Sequence, residues 1–542
     1  MKKIMILGGY GGFGGRLSDL LAERGHHILV AGRSQLKAEK FCEKIENGQA
    51  VQMDRNGNIR EAIIQHQPDL IIDAAGPFQG SSYRVAEHSI AAAIPYLDLA
   101  DGRAFVCGIG KLDDAAIAAG VPVISGASSV PALSGAVIRH LASETEHVEA
   151  IEMAISASNK ATVGSSVSNA ILSYVGKPIQ VRQAGRWDTV YGWQDIRSID
   201  FEVNDTPGIG KRLVALADVP DLELVPRQFE NMPAVSFRAG TELAFQNRGL
   251  WIASWPVRWG WIRSLEPAAK FLLSLQNVTR ALGSDVSGMK VELFGHMESK
   301  PSRNSWTLIA QKGDGPQIPT FAAVILSEKI LCGQLKAGAY EASQLLTLSE
   351  FQPLFDRYAI AHETITRETV PSLYQRVMGS DFEQLPGSLQ QLHTVMRDGG
   401  FRGEAEVTRG KNPIARSIAT IFGFPTVGKH DLQVHIKIDD KGERWTRSFS
   451  GKIFASHLRK SGRYLTENFG LLQFQFALPV TDGSLTMVMT GWKFGFLPLP
   501  LFLAPRSEAS EWEESGRFHF DVPITLPLVG LMVHYRGWLE PR

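Results

Sequence analysis

The sequence has few cysteines, no excess of either charge and no long apolar run. Its three cysteines, Cys42, Cys107 and Cys332, are far apart and form no C-x-x-C pair, which disfavours a disulfide framework or a metal site. Lysine plus arginine equals aspartate plus glutamate at 56 each, so no global charge attracts nucleic acid. No uninterrupted apolar run reaches the ~18 residues of a membrane-spanning helix.

The first apolar run begins at Ile4, which leaves no room for a signal or transit peptide before it. We therefore expect a cytoplasmic protein. Its 542 residues exceed the size of one ordinary hydrophobic core, so two or three domains are expected.

A glycine-rich loop follows this apolar run and precedes an amphipathic segment, residues 17–24. Gly9, Gly11 and Gly14 fit the G-x-G-x-x-G fingerprint of dinucleotide-binding folds, in which glycines permit the turn and the approach of a pyrophosphate. The phosphates would lie on the free N–H groups of the helix that starts near Gly12. The predicted cofactor contacts in this loop are Gly9, Tyr10, Gly11, Gly12, Phe13 and Gly14.

The spacing of Gly8, Gly11 and Gly14 also fits the short-chain dehydrogenases. Those enzymes need a tyrosine with a lysine four residues later, because the lysine lowers the pKa of the phenol. No tyrosine of this chain has a lysine at that offset, and Tyr174 is followed by Lys177. The sequence therefore disfavours the short-chain mechanism.

The end of the second predicted strand, residues 27–31, indicates which nucleotide binds. NAD enzymes usually place Asp or Glu there, to hydrogen-bond the 2′-hydroxyl of the ribose. Here the first polar side chains are Arg33 and Ser34. A guanidinium and a hydroxyl suit a 2′-phosphate, so the sequence favours NADP over NAD. The alternative is a solvated arginine at the start of the next helix.

Other residues follow the remaining predicted strands of residues 1–125. Ligands of open parallel sheets collect beyond the carboxyl ends of the strands. Asp54 is therefore placed to contact the adenine, and the turn after residues 70–74 is placed near the nicotinamide. An ordinary role in a turn is the alternative for each of them. The predicted contacts here are Asp54, Ala75, Gly76, Pro77 and Phe78.

Four segments resemble the saccharopine dehydrogenase-like oxidoreductases: the glycine loop and residues 74–78, 96–102 and 126–134. Segments at residues 283–289 and 313–339 are similar to the same family, so the resemblance spans about residues 1–355. It implies an N-terminal Rossmann domain and a mixed α/β domain that closes over the nicotinamide and often forms a dimer. It also implies that the chain returns near residues 320–355 to pack a helix on the Rossmann sheet.

The sequence carries no recognisable catalytic signature. Lys160 is the nearest mobile cation in the second domain and is a candidate proton donor. Asp98 and Asp101 are the nearest carboxylates on the nucleotide side. We take these three residues as the catalytic candidates. The small hydroxyl residues around Lys160 suit either a bound oxygen or a simple helix cap.

Residues 248–282 combine tryptophans with arginines and end in a helical pattern at residues 265–282. The tryptophans are Trp251, Trp255, Trp259 and Trp261. Together with arginine they suit a peripheral contact with a membrane surface or a lipid-lined mouth, and hence a hydrophobic substrate. A dimer interface or a core lid is the alternative. Pro256 and Gly260 argue against one continuous helix through this segment.

From residue 385 the sequence consists of short runs in which apolar and polar residues alternate, separated by turns with Gly and Pro. This pattern favours an antiparallel sheet or barrel. Residues 372–542 resemble a domain of unknown function (DUF4166) that is attached to saccharopine dehydrogenase-like proteins, and this resemblance implies no activity. Polar residues among these strands suit either a lumen with an amphipathic ligand or buried ion pairs. They are His393, Arg409, Arg447 and Glu467.

Together these patterns predict an α/β protein of three domains. A Rossmann domain with a doubly wound parallel sheet spans residues 1–128, and a mixed α/β domain for substrate or homodimer formation spans residues 129–319. A linker at 356–371 leads to a β-rich domain at 372–542. The predicted function is NADP-dependent hydride transfer to or from a C=O, C=N or C=C bond of a hydrophobic small molecule. The alternative is a non-catalytic sensor or scaffold that binds NADP and a lipid-like ligand.

Overall fold

The structure is a computed structural model that describes residues 1–57, 59–160, 165–269, 274, 278–298, 300–369, 371–439 and 441–542. These residues form a parallel sheet, a mixed sheet, an antiparallel barrel and a separate two-stranded hairpin. Within these ranges no helix has the length and apolarity to cross a membrane.

The first unit alternates parallel strands with helices, as predicted. Its strands bury side chains on both faces, as Ile4, Met5 and Ile6 show, because helices cover both sides of the sheet. The strands are β1 (Lys3–Leu7), β2 (His27–Gly32), β3 (Gly48–Gln52), β4 (Leu70–Asp73), β5 (Tyr96–Asp98) and β6 (Pro122–Ser125). The helices are α1 (Gly12–Ala22), α2 (Gln35–Cys42), α3 (Ile59–His66), α4 (Arg84–Ala91), α5 (Arg103–Cys107), α6 (Asp113–Ala119) and α7 (Ser134–Ala142).

The chain then forms a second sheet and returns briefly to the first. The strands are β7 (His147–Ala157), β8 (Pro178–Gln183), β9 (Arg186–Tyr191), β10 (Arg197–Val203), β11 (Thr206–Leu216), β12 (Ala234–Thr241), β13 (Ser287–Met297), β14 (Lys300–Ala310), β15 (Gly338–Glu341) and β16 (Ile360–Thr369). The helices are α8 (Ser165–Tyr174), α9 (Asp221–Leu224), α10 (Ala244–Arg258), α11 (Ile318–Leu331) and α12 (Gln352–Phe355). Strands β8 and β9 form the separate hairpin.

The strands of the first sheet lie in the order β15-β6-β5-β4-β1-β2-β3, and every neighbouring pair is parallel. The chain moves outward from β1 to β3 and then crosses to β4. This reversal opens a crevice at the carboxyl ends of β1 and β4, where such sheets bind ligands. The return segment supplies β15 beside β6 and α11, which packs on α1.

The second sheet has the order β10-β11-β12-β7-β13-β14-β16. Strand β7 is parallel to β12 and antiparallel to β13, so this sheet is mixed, as predicted. Ile151 and Met153 of β7 belong to the same buried core as Leu17 of α1 and Phe321 of α11. The first and second sheets therefore share one core through the helices that lie between them.

The prediction of a linker at residues 356–371 is wrong for most of its length. Strand β16 pairs antiparallel with β14, from Ile360 opposite Ala310 to Thr369 opposite Ser302. It is the edge strand of the second sheet, and edge strands carry the charged residues that also typify linkers.

The β-rich part is a closed barrel. Its strands are β17 (Asp398–Thr408), β18 (Gly428–Asp439), β19 (Gly442–Phe449), β20 (Lys452–Ser461), β21 (Tyr464–Phe469), β22 (Leu472–Ala477), β23 (Val480–Thr481), β24 (Ser484–Phe494), β25 (Leu497–Leu499), β26 (Ala509–Glu514), β27 (Arg517–Leu526) and β28 (Gly530–Pro541). Strand β22 pairs with both β21 and β24, which closes a ring of ten strands. Short strands β23 and β25 pair with β24 outside this ring. The helices are α13 (Leu373–Met378), α14 (Gly387–His393) and α15 (Pro413–Ile421).

Antiparallel neighbours place the connections alternately at the two ends of the barrel. At one end, where β17 begins, Glu149 of β7 accepts the backbone N–H groups of Met396, Arg397 and Asp398. Helices α13 and α14 cover the same end, where Lys460 donates to a carbonyl of α13. The other end of the barrel faces away from the second sheet.

Glu152 of β7 is the centre of the polar contact between the second sheet and the barrel. Its carboxylate lies 3.2 Å from Arg197 and 2.6 Å from Arg397. Burial alone would raise the pKa of Glu152, but Arg397, Arg238 and Arg197 outweigh it and lower the pKa to about 2. The carboxylate is therefore held in its charged form by the arginines of both units.

We expect Glu152→Gln to lower the free energy of unfolding by about 3 kcal/mol, since the buried arginines lose their counter-charge. The carboxylate's stabilisation is present above its ordinary pKa of 4.5 and is lost as the pH falls towards about 2. Urea unfolding of wild type and variant at neutral and acidic pH measures both effects. Glu404→Gln, at an exposed position of β17, is the matched control. Equal stability of all three proteins at neutral pH would contradict the prediction.

Candidate functional site

The glycine loop after β1 makes the tight turn of the fingerprint. Gly8 has a φ of +74°, which glycine adopts without strain. A Cβ at Gly14 would lie 2.2 Å from the carbonyl oxygen of Gly8, so α1 packs directly on the turn. Helix α1 begins at Gly12, and its first N–H groups have no partner within the helix. These donors at the crevice, with the positive end of the helix dipole, fit a pyrophosphate.

Tyr10 holds the loop after β2. A Cβ at Gly32 would lie 2.3 Å from its ring, and its hydroxyl accepts the N–H of Ser34 at 3.1 Å. The Ser34 hydroxyl caps α2 by accepting the N–H of Lys37. Arg33 is exposed, and its guanidinium pairs with no acidic group of the described residues. The Arg33 and Ser34 side chains therefore lie at the start of α2, and their contact with a 2′-phosphate stays a prediction.

An ion pair missed by the sequence analysis holds the turn after β4. Asp73 is fully buried and lies 3.0 Å from Arg55. Arg55 also donates to the carbonyl oxygen of Ala75 at 3.0 Å, while the N–H of Ala75 donates to Asp73 at 2.9 Å. The predicted contacts Ala75, Gly76 and Pro77 are therefore fixed beside the crevice. The available signal was an aspartate that ends an apolar strand, because a buried carboxylate needs a partner.

Phe78 and Asp54 both have structural contacts in this region. Phe78 follows the turn after β4 and is buried, with its ring 5.2 Å from that of Phe105 of α5. Asp54 is exposed, and its carboxylate accepts the N–H of Asn56 at 3.0 Å. Their contact with a cofactor stays a prediction.

Asp98 is fully buried at the end of β5. Its carboxylate accepts the N–H groups of Ala100 and Gly126 and the hydroxyl of Ser125. Burial raises the pKa of Asp98 to about 7, against the lowering effect of these hydrogen bonds. The carboxyl joins the loops after β5 and β6 and has no exposed surface, which favours a positioning role over contact with a substrate.

Asp101 lies where the first unit meets the second. Gln79 donates to its carboxylate at 3.2 Å, and burial raises its pKa. Tyr174, at the end of α8, faces this group from the second unit, and burial with the nearby Asp101 and Asp218 raises the pKa of its phenol. Arg103 of α5 joins the two units at the same place, 3.3 Å from Asp218. We call the junction formed by Gln79, Asp101, Arg103, Tyr174 and Asp218 the Asp101 cleft.

Lys160 is exposed three residues after the end of β7. Its N–H donates to the carbonyl oxygen of Ser284, and its own carbonyl accepts from Arg280. Within the described residues its ammonium group pairs with neither Asp98 nor Asp101. Residues 161–164, which follow it and include Thr162, lie outside the described residues. The structure therefore places Asp101 in the cleft without joining it to Lys160.

The tryptophan segment is not one continuous helix, in agreement with the prediction. Helix α10 includes Pro256 but ends at Arg258, before Gly260, whose φ is +76°. The proline removes one backbone N–H donor near the end of the helix. The rings of Trp251 and Trp255 meet edge to face at 5.8 Å, and Trp261 is exposed. Residues 270–273 and 275–277 of the pattern at residues 265–282 lie outside the described residues. The membrane contact through residues 248–282 stays a prediction.

Comparison with protein families agrees with this geometry. Residues 4–124 match the family model "Saccharopine dehydrogenase NADP binding domain". The first unit is an NADP-binding domain. This saccharopine dehydrogenase-type domain confirms the predicted cofactor and supports an NADP-dependent oxidoreductase. Residues 385–539, most of the barrel, match the "Domain of unknown function (DUF4166)". No curated protein matches the chain in sequence.

Several solved structures are similar to this chain. Saccharopine dehydrogenase (L-Glu forming) from Saccharomyces cerevisiae is 11% identical, with a TM-score of 0.48, over 67% of this chain and 100% of that one. Amine dehydrogenase from Mycobacterium smegmatis is 11% identical, with a TM-score of 0.37, over 64% of this chain and 96% of that one. At these scores the two structures add no argument about function to the domain match.

We expect Arg33→Ala to weaken NADPH binding by ~1–3 kcal/mol and to leave NADH binding unchanged, since only NADPH carries the 2′-phosphate. Calorimetric titration of both nucleotides measures this. Lys37→Ala removes a neighbouring exposed charge of α2 and is the matched control. Equal losses for NADPH and NADH would show that Arg33 does not bind the 2′-phosphate.

Proposed function

We propose that the protein transfers hydride between NADP(H) and a C=O, C=N or C=C bond of a hydrophobic small molecule. The observation that carries this proposal is the glycine turn, in which α1 packs on Gly8 and directs free N–H groups into the crevice of an NADP-binding domain. A dinucleotide held there extends along the carboxyl ends of the strands.

The two ends of the crevice have different tasks in this proposal. Arg33 and Ser34 bind the 2′-phosphate at the end of β2. The turn that Arg55 and Asp73 hold lies beside the nicotinamide end, next to the Asp101 cleft. When bound, NADPH supplies the hydride. The rigid turn supplies orientation, which is a large part of the rate enhancement in such reactions.

The Asp101 cleft provides the polar groups for the substrate. Reduction of a C=O or C=N bond needs a proton at the heteroatom in addition to a hydride at carbon. Asp101 is suited to supply that proton, because burial raises its pKa and keeps the carboxyl protonated to higher pH. Tyr174 retains its phenol proton and can donate a hydrogen bond to the same heteroatom.

A hydrophobic substrate suits this region because Tyr174 packs with an apolar cluster. Within it Leu172, Val175 and Trp193 are already buried, whereas Ile171, Leu250 and Trp251 are only partly buried. Apolar surface that a substrate covers on the partly buried members would contribute ~25 cal/mol per Å² to binding. The polar groups of the cleft would then orient only the reacting end of the molecule.

We expect NADPH to be oxidised in the presence of a long-chain aldehyde, imine or enoyl acceptor, followed by its absorbance. Asp101→Asn should lower turnover by about 10²–10⁴-fold without changing NADPH affinity, as loss of a general acid does. Turnover of the wild type should fall as the pH rises through the pKa of Asp101. Asp114→Asn, on the surface of α6, is the control.

The outcomes separate an enzyme from a binding protein. NADPH binding without oxidation by any of the three acceptor classes would favour a non-catalytic sensor or scaffold. Full activity of Asp101→Asn would remove Asp101 from the mechanism and leave Lys160 as the predicted proton donor.

A further inference from the structure

The barrel encloses a cavity of about 250 Å³. Its lining reaches Phe422, Phe469 and Leu526 at the end away from the second sheet, and we infer that its mouth lies at this end. The opposite end is covered by α13 and α14, in which Tyr374 stacks on His393 at 3.7 Å. The volume is just below the ~300–1,000 Å³ of typical small-molecule sites, which suits one hydrocarbon chain rather than two.

Most of the lining is aromatic or aliphatic, and a few polar side chains interrupt it. Arg447 lies 3.5 Å from Glu467, and both line the cavity. Glu511 also lines it and lies 2.7 Å from His393. The hydroxyl of Tyr535 lines the same space and forms no hydrogen bond with the described residues. Three of the four polar residues expected in this region therefore belong to the cavity or its floor.

Arg409, the fourth, lies outside this group. It donates to the carbonyl oxygens of Pro425 and Phe424 near the mouth. The Arg447–Glu467 pair therefore lines the cavity, and the His393–Glu511 contact lies at its floor, whereas an amphipathic ligand stays a prediction.

The charges of the wall select the head group of a ligand. Arg447 is engaged by Glu467, and Glu511 adds a second carboxylate that His393 offsets only when protonated. An acidic head group would enter beside two carboxylates, which repel it. A hydroxyl can instead donate to Glu467 and accept from Tyr535 or Arg447.

We propose that the barrel binds a single-chain amphiphile with an uncharged hydroxyl-type head group, such as a long-chain alcohol. The head group lies beside Arg447, Glu467 and Tyr535, and the chain extends along the apolar wall towards the mouth. This site is separate from the Asp101 cleft and does not depend on the proposed reaction.

Displacement of the fluorescent probe Nile red from the full-length protein tests this proposal. We expect tetradecanol to displace the probe and tetradecanoate to do so about tenfold more weakly. Met489→Trp fills the cavity and should abolish binding, whereas Val488→Trp, at the adjacent and exposed position of β24, should not. Glu467→Gln removes one carboxylate and should raise the affinity for tetradecanoate relative to tetradecanol.

Three results would overturn the proposal. They are failure of the wild type to bind Nile red, equal binding by Met489→Trp and Val488→Trp, and a preference of the wild type for tetradecanoate. Circular dichroism of both tryptophan variants shows whether the barrel has folded, so that a loss of binding is not a loss of structure.

The surface around the mouth of the barrel has exposed apolar and basic side chains, which support a second, independent inference. We define the open rim as the connections at this end, residues 409–430, 450–452, 470–471, 493–508 and 527–529. Its exposed apolar side chains include Ile421, Val427, Leu471, Phe496, Phe502 and Leu528. Its exposed basic side chains are Lys411, Arg416, Lys429, Lys493 and Arg506. Glu508 is the exposed acidic residue among these connections.

We infer that the open rim docks on a bilayer of anionic lipids. Apolar side chains at the tips of several separate connections suit insertion among acyl chains, and the surrounding basic groups attract anionic head groups. A long-chain alcohol would then enter the cavity directly from the bilayer, so that its chain need not cross water.

Co-sedimentation with phosphatidylcholine vesicles, with and without phosphatidylglycerol, tests the docking. We expect binding only with phosphatidylglycerol and a decrease at high salt, which screens the basic groups. The double variant Phe496→Ser with Phe502→Ser should lose binding, and Trp261→Ser should retain it. Loss of binding in Trp261→Ser alone would place the contact in residues 248–282 and overturn the inference.

Discussion

Strand β7 is the element on which the arrangement of all three units depends. Its side chains alternate between two environments, as strand geometry requires. Ile151 and Met153 lie in the apolar core shared with the NADP-binding domain, while Glu152 between them pairs with Arg197 and Arg397. The apolar contact is large but non-directional, whereas the ion pairs fix the orientation of the barrel. One strand therefore joins the barrel and the nucleotide domain to a common sheet.

The nucleotide-binding crevice was predictable because its determinants are local. The turn after β1 depends on glycines within a few residues of each other, and Arg33 directly follows β2. The contribution of Tyr10 could not be read in the same way, since its ring packs on Gly32 across the loop. The Arg55–Asp73 pair joins residues from different strand ends. Only the order of the strands brings those residues together, so single-strand patterns do not reveal the pair.

The remaining differences have one physical origin, which is pairing between distant segments. Alternation predicted a sheet or barrel, but closure depends on the hydrogen bonds between β22 and β24. Strand β16 resembled a linker because it has charged residues, and it is a strand because β14 lies beside it. Of the catalytic candidates, Asp101 lies in the cleft, whereas Asp98 is fully buried in the core. The two carboxylates are only three residues apart in the sequence, and only the structure shows that their burial differs.

The direction of the barrel mouth determines how the two candidate sites can act together. The cavity opens away from the second sheet, and α13 and α14 cover the end that faces it. A molecule in the barrel therefore has no direct path to the Asp101 cleft and must leave through the open rim. The barrel cavity and the Asp101 cleft would then be linked only by the position of the protein at the membrane. A protein held at a bilayer by its rim would meet apolar molecules at high local concentration, but the cleft lies beyond the barrel, so such a molecule would cross water to reach it.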